Sequence, residues 1–586
     1  MPYNTKALKT DVSGVKPAPQ HFDPGIDDYD VALGRNGASR VELYGPDGNP
    51  LSTTEGKLAV RATEIETFLE AILDKIIATP STEAKQEAIR LLLDSLDKKD
   101  YSTLAKQNEI LTKLAALEAK LNNALDVQLS GSNIEDVVKN VNIITTKRKQ
   151  AAEYDIYGAK WDKSSSPTLT RTDDAVGLTA NAGVGYQSVT NDFDKLPIFG
   201  EIEQTEDSLG NVFMKVPKFY CRDTDGLGHK QIQISKRRYS GFYLPYLFWD
   251  FTNNKELPYA LIGKHKASLG TGNKLESKPN QYPLIDKTIV DFRTYAKNNN
   301  GDGLSGYQQN DIHWINLLRK LAFIEFATLN IQSVMQGYTT GQYAATHLAT
   351  VTEENTNRII IANAHADLYR VGQAISIGTS QGGNQIFYGR TITSIDVYDV
   401  SNKAISFDGA PVNITTGNYL YNTGWKTGFS NNILASSGSL IANDGKYPCV
   451  YRGIESPFGD IYEFIDGINI TDCQAWVCKN AADYASNVFA SPYERLGYIN
   501  SSFNGYVKEM GFDQNYPFAE FPTVSTGGGE TTYYSDNYYQ NTGQRIALFG
   551  GGWYFGSSAG LSNWYLLSSS SLTNVALGGR LLKKPL

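Results

Sequence analysis

A chain of 586 residues with 41% hydrophobic side chains holds enough apolar material for three or four domains with cores of their own. Its net charge of −8 excludes nucleic acid as the main partner, because phosphate binding needs a concentrated basic face, and the dense basic runs KRK (147–149) and KRR (236–238) read as solvated surface. No signal peptide opens the sequence and no apolar run approaches the roughly 20 residues of a membrane span, so neither export by a cleaved signal nor membrane insertion is expected.

Residues 1–58 contain PAPQHFDPGIDDYD and LYGPDGNPLS, whose Pro, Gly and Asp punctuation predicts short strands and turns without a large core. Such an extended segment is expected to attach to another particle component. From Val60 the apolar period becomes helical: Ile65, Leu69, Ile72 and Ile76 recur until Pro80, and a second helix is predicted over 82–96. Over 102–125, Gln107, Ile110, Leu114, Leu117, Leu121 and Ala124 alternate by three and four, a seam that predicts a coiled coil roughly 37 Å long. Leu at one core position and Ile at the other lean toward a trimer or tetramer, with a monomeric helical hairpin as the alternative. Residues 59–150 are thus expected to form a helical oligomerisation stalk, with Ile110, Leu114, Leu117 and Leu121 as its contacts.

Beyond KRKQAAEYDIYG the helical period stops. Residues 155–305 alternate in short runs such as NVFMKVPKFYC and read as strands joined by loops. QNDIHWINLLRKLAFIEFATLNIQSVMQG (309–337) predicts an amphipathic helix with Ile312, Ile315, Leu318, Ala322, Phe326 and Leu329 on one face, capped by Asn310 or Asp311 and followed by Gly337. Between 346 and 426, RIIIANA, AISIGT, GRTITSIDVY, KAISFDG and NYLYNTG alternate at period two, which predicts a small inserted β-barrel or sandwich.

The four cysteines (Cys221, Cys449, Cys473, Cys478) are too few for a disulfide scaffold and lack zinc spacing, so free buried thiols are expected rather than a metal site, and no cofactor is expected. Tyrosine and glycine are abundant, at 36 and 53, a composition suited to a binding surface, since tyrosine offers a large amphipathic contact at low entropic cost.

Two segments then carry a resemblance. GIESPFGDIYEFIDGINI (453–470) and GGGWYFGSSAGLSNWYLLSSSSLTNVALGGRL (550–581) resemble paired motifs of the C-type-lectin-like fold, shared by formylglycine-generating enzymes, the variable proteins of diversity-generating retroelements and many phage receptor-binding proteins. YGAKWDKSSSPTLTRTDDAVGL (157–178) and the region from PKFYCRDTDG to SKRRYSGFYLP resemble minor structural or tail proteins of phages of Gram-positive bacteria. The match departs from the pattern at Tyr462, Phe464, Gly552 and Gly579-Arg580, and no cysteine follows Cys478, so the thiolate chemistry of the enzyme branch is not expected.

Together, the periodicities and the resemblance, which covers roughly 155–345 and 427–586, give the expectation of a multidomain α+β protein: a particle-attachment segment (1–58), a helical coiled-coil stalk (59–150), and a C-type-lectin-like head in two parts (151–345 and 427–586) around the inserted β-domain (346–426). The seam gives the expectation of a homotrimer, and the resemblance implies a virion or tail location, tail, baseplate or other virion proteins as partners through the N-terminus, and adhesion to a bacterial cell-surface glycan or protein. Trp553 is assigned to the core. Tyr554, Phe555, Ser557, Ser558, Asn563, Trp564, Tyr565, Ser568, Ser569, Ser570 and Ser571 are the candidate ligand face, since aromatic plates stack on sugars while Ser and Asn bond hydroxyls or phosphates. No enzymatic activity is expected. The alternatives are a polysaccharide depolymerase, for which Glu455, Asp460, Glu463 and Asp466 supply carboxylates, and a purely structural fibre.

Overall fold

The computed structural model describes residues 156–226, 228–497 and 504–586, together with the short strands Gln20–Asp23, Asp28–Val31, Thr53–Thr54 and Lys57–Leu58. The chain divides into two units, Met1–Asn142 and Ile143–Leu586. In the first, the strands pair as antiparallel hairpins, with Gln20 opposite Val31 and Thr53 opposite Leu58, in keeping with the turn-rich sequence there.

The expected α+β architecture on a helical stalk is overturned. Strand occupies 37% of the described residues and helix 11%, so the fold is β-rich and a helical coiled-coil stalk has no support. Residues 59–150, with the seam residues Ile110, Leu114, Leu117 and Leu121, lie outside the described residues. The three α-helices among the described residues are α1 (Ile289–Lys297), α2 (Ile312–Phe326) and α3 (Asn363–Ala366). The physical reason lies in the sequence after 155, where period-two runs alternate with Gly, Asn and Asp turns and favour strands over helices.

In the second unit, α2 sits between two sheets. One carries the strands Tyr220–Asp225, Lys230–Ser235, Ile156–Trp161 and Thr170–Asp173 in that order; the other is built around the long strand Tyr462–Thr471. The Asp311 carboxylate caps α2 by accepting from the Trp314 amide at 2.9 Å. The helix ends at Phe326, well before Gly337, because Ala327 turns left-handed at φ 52° and Thr328 bridges to Thr168. The single apolar face expected for this helix is also corrected: every residue of α2 is buried. Its charged side chains survive inside because each meets a counterion, Arg319 with Glu520 at 2.7 Å, Lys320 with Asp223, and Glu325 with Arg452 at 2.6 Å.

Leu581–Lys583 lies inside a five-stranded sheet, between Tyr307–Gln309 and Tyr259–Gly263, with Val212–Pro217 and Glu203–Glu206 beyond. Residues 346–426 hold a second five-stranded sheet, in the order Arg358–Ala362, Asn402–Phe407, Gly383–Val397, Ala374–Ser380, Tyr419–Asn422. Its core is its own, with Ile359, Ile361, Ile375, Ile377, Ile405 and Leu420 buried together. The Asn422 amide donates to the Gln342 carbonyl at 2.8 Å, so this insertion leaves the unit beside the point where it enters. Among the described residues no helix is long and apolar enough to cross a membrane.

Candidate functional site

The segment 550–571 is positioned by its glycines. After the strand Gln544–Phe549, Gly550 and Gly551 take φ of 91° and 81°, and a Cβ on Gly551 would stand 2.5 Å from that of Ala559. This tight reversal sends Trp553 inward, where it is fully buried, and leaves Tyr554 38% exposed. Past the short 3-10 turn Gly556–Ser558, the strand Trp564–Leu566 lies between Gln544–Phe549 and Asn537–Gln540. Its alternation buries Trp564 and Leu566 and turns Tyr565 outward, beside its register partner Tyr539.

The result is a continuous run of partly open aromatic rings. Tyr343 stacks on Tyr554 with centroids 4.8 Å apart and planes 18° from parallel. Tyr554 meets Phe555 at 4.9 Å, Phe555 meets Tyr539 edge-on at 6.2 Å, and Tyr539 meets Tyr565 at 5.5 Å. Beneath them the buried Tyr462 touches Phe555 and Tyr565, at 5.0 and 5.4 Å, and Trp553 meets Tyr343 edge-on at 6.1 Å. Crowding by protein atoms, with Tyr343 and Tyr565 beside it, pushes the Tyr554 hydroxyl up to about 12, so it stays protonated and able to donate.

A polar rim adjoins the rings. The Ser557 hydroxyl donates to the Glu530 carboxylate at 3.0 Å and lies 3.1 Å from the Tyr506 hydroxyl; Ser557 and Glu530 are both exposed. Ser558 is half-buried, and its hydroxyl accepts from Asn537 at 3.5 Å. Ser569 and Ser571 are exposed with hydroxyls 3.0 Å apart, and the half-buried Ser570 accepts from Asn487 at 3.0 Å.

Three of the expected ligand-face residues are not on a face. Trp564 is fully buried, packed edge-on against Phe521 and Phe549, because it occupies an inward strand position. Asn563 is fully buried, and its amide donates to the Asn537 and Ser558 carbonyls at 3.1 and 2.8 Å, so it braces the turn rather than a ligand. Ser568 is buried as well, and its carbonyl accepts from Ile546 at 3.0 Å. Tyr343 and Tyr539 complete the run although no local pattern singled them out. Tyr539 was accessible in principle through the alternation of NYYQ, whereas Tyr343 joins by tertiary stacking alone.

The acidic segment 455–466 lies elsewhere, in the interior. Glu455 sits 2.7 Å from His265 Nδ1 and accepts the Gly428 and Ser430 amides, each at 2.9 Å. Glu463 meets Lys266 at 2.8 Å and Arg580 at 2.7 Å; Asp466 takes the Arg293 fork at 2.7 and 2.9 Å. Asp460 accepts from the Trp425 amide at 2.6 Å, and burial, opposed by Lys266 and that amide, raises it to about 6. All four are buried, each engaged by a cation or a backbone donor rather than flanking an open cleft. The four cysteines are free and buried, and burial pushes the Cys478 thiol up to about 11, away from reactive thiolate. Among the described residues no group of three or more His, Cys, Asp and Glu side chains is placed to hold a metal ion. Compared with known proteins, the chain matches no family model and no curated protein.

Proposed function

We propose that this protein is a virion or tail receptor-binding component that adheres to a bacterial cell-surface glycan or protein through the aromatic run of Tyr343, Tyr554, Phe555, Tyr539 and Tyr565. One observation carries the reading: partly open rings from three separate chain segments pack ring against ring on a scaffold whose underside, Trp553, Tyr462 and Trp564, is buried. Rigid aromatic plates bind with little entropic loss, and Ser557 and Glu530 at their rim supply hydrogen-bonding groups. The resemblance of 453–470 and 550–581 to phage receptor-binding proteins supports the same reading.

Incubation with purified bacterial wall polymer tests it. Retention of the polymer without new reducing ends is the expected result. Shortened chains would establish a depolymerase, and neither retention nor cleavage would leave a structural fibre.

A further inference from the structure

The aromatic run has a polar edge whose chemistry narrows the ligand. Asp286, just before α1, is exposed, and among the described residues its carboxylate takes one hydrogen bond, from Gln385 Nε2 at 3.5 Å, and joins no ion pair. That distance is the outer limit of a hydrogen bond, so most of the roughly four acceptor positions of the carboxylate are open. Gln385 belongs to the insertion strand Gly383–Val397. Four residues earlier, Gln381 Nε2 donates to the Tyr343 carbonyl at 2.9 Å, and the Gly382 backbone lies so close to the Tyr343 hydroxyl that a Cβ would stand 1.9 Å from it. An exposed carboxylate, the side-chain amide that donates to it and the stacked pair Tyr343–Tyr554 therefore meet at the seam between the insertion and the rest of the unit.

We propose that this seam is a subsite for an uncharged sugar ring, which stacks against the Tyr343–Tyr554 pair while its hydroxyls donate to Asp286 and to the Gln385 carbonyl oxygen. This rests on the adhesion reading above and names its ligand class. A carboxylate accepts hydrogen bonds and donates none, so it suits a hydroxyl and repels a phosphate oxygen. Glu530, at the Ser557 end of the run, adds a second exposed carboxylate without an ion pair among the described residues; Lys287, next to Asp286, is the nearest cation along the chain. Burial and then the charge of Asp286 raise the Tyr343 hydroxyl, so that ring also stays a neutral phenol. Ring stacking with acceptor-rich edges matches a neutral hexose or N-acetylhexosamine better than a phosphate-bearing polymer.

The test uses the full chain against immobilised tetramers of glucose, galactose and N-acetylglucosamine, and against poly(glycerol phosphate), read by biolayer interferometry. At least one neutral tetramer should be retained and poly(glycerol phosphate) should not. Asp286→Asn should weaken the retained tetramer about tenfold, the loss expected for a charge-assisted hydrogen bond. Asn tolerates the left-handed backbone of Asp286 (φ 53°), so this variant should melt like the wild type; Gln385→Ala, from a different strand, gives a second reading if it does not. Retention of poly(glycerol phosphate) alone, of no neutral tetramer, or of a tetramer equally by wild type and both variants would overturn the proposal. Wall-polymer retention separates the two readings: loss in Tyr554→Ala but not in Asp286→Asn leaves adhesion standing and removes the sugar subsite, and loss in neither removes both.

Discussion

Arg580 grips Glu463 from Nε at 3.0 Å and from Nη2 at 2.7 Å, both side chains buried, and so ties the chain just before the last strand to the long strand Tyr462–Thr471. The same guanidinium donates to the carbonyls of Gly263 at 2.9 Å and Glu455 at 2.8 Å. Its planar fork thus joins three chain segments that share no local sequence. Arg580→Ala should destabilise the second unit by about 3–5 kcal/mol, because it leaves the carboxylate and two carbonyls short of donors. Arg580→Lys should rescue little of this, since an ammonium cannot reproduce the fork. A thermal melt of each variant measures it, and an unchanged midpoint for Arg580→Ala would refute the assignment.

Glu463 should also shape the acid limb of stability. Burial alone would raise this carboxyl, but Arg580 and Lys266 outweigh it and hold Glu463 at about 2, below its ordinary 4.5. Glu520 is held at about 2 in the same way by Arg319 and Lys230. For groups depressed on folding, the stabilisation is complete above about 4.5 and is lost as the pH falls toward about 2. Denaturant midpoints should therefore drop between those limits, and Glu463→Gln should start lower at neutral pH and drop less.

Isolation of the insertion is a separate test. Its core draws on residues 349–420 alone, and its ends meet at Gln342 and Asn422. Residues 346–426, expressed alone, should unfold in one cooperative transition. A broad, non-cooperative melt would show that the sheet depends on the rest of the unit.

The aromatic variants should sort by burial. Trp553→Ala and Trp564→Ala should each cost about 3–5 kcal/mol, since both indoles are fully enclosed. Tyr554→Ala should change stability by under about 1 kcal/mol while abolishing most retention of wall polymer. Retention by Tyr554→Ala equal to the wild type would refute the aromatic run as the ligand face.

Much of this arrangement is legible in the chain, and the failures have physical causes. The triple glycine before Trp553 and Tyr554 marks a reversal that sends one ring in and the next out, and the structure does so. Trp564 was assigned to the ligand face because nothing local to NWYLL says which of its adjacent aromatics turns inward; only beside its strand neighbours does the two-residue period put Trp564 and Leu566 inside and Tyr565 outside. The burial of α2 on all sides could not be read locally, since Arg319 and Arg452 find their counterions, Glu520 and Glu325, more than a hundred residues away. Tyr343 and Asp286 carry no pattern at all: their roles arise where the insertion meets the rest of the unit.

Asp460 supplies the last prediction, with the opposite pH dependence to Glu463. Its carboxyl is buried at the exit of the insertion, where it accepts the Trp425 amide at 2.6 Å, and burial raises it from 3.8 to about 6 against the pull of Lys266. Between those two values the folded protein binds the proton more tightly than the unfolded chain does. Stability from this group is therefore highest in acid and falls as the pH rises through about 6, beyond which it is constant. Asn in its place keeps an oxygen for the Trp425 amide and tolerates the left-handed backbone at φ 67°, but carries no charge to desolvate. Asp460→Asn should thus match the wild type near pH 4 and exceed it by roughly 1–3 kcal/mol at pH 7. Paired denaturant titrations at the two pH values measure the difference, and a variant less stable than the wild type at pH 7 would show that Asp460 works as a charged partner of Lys266.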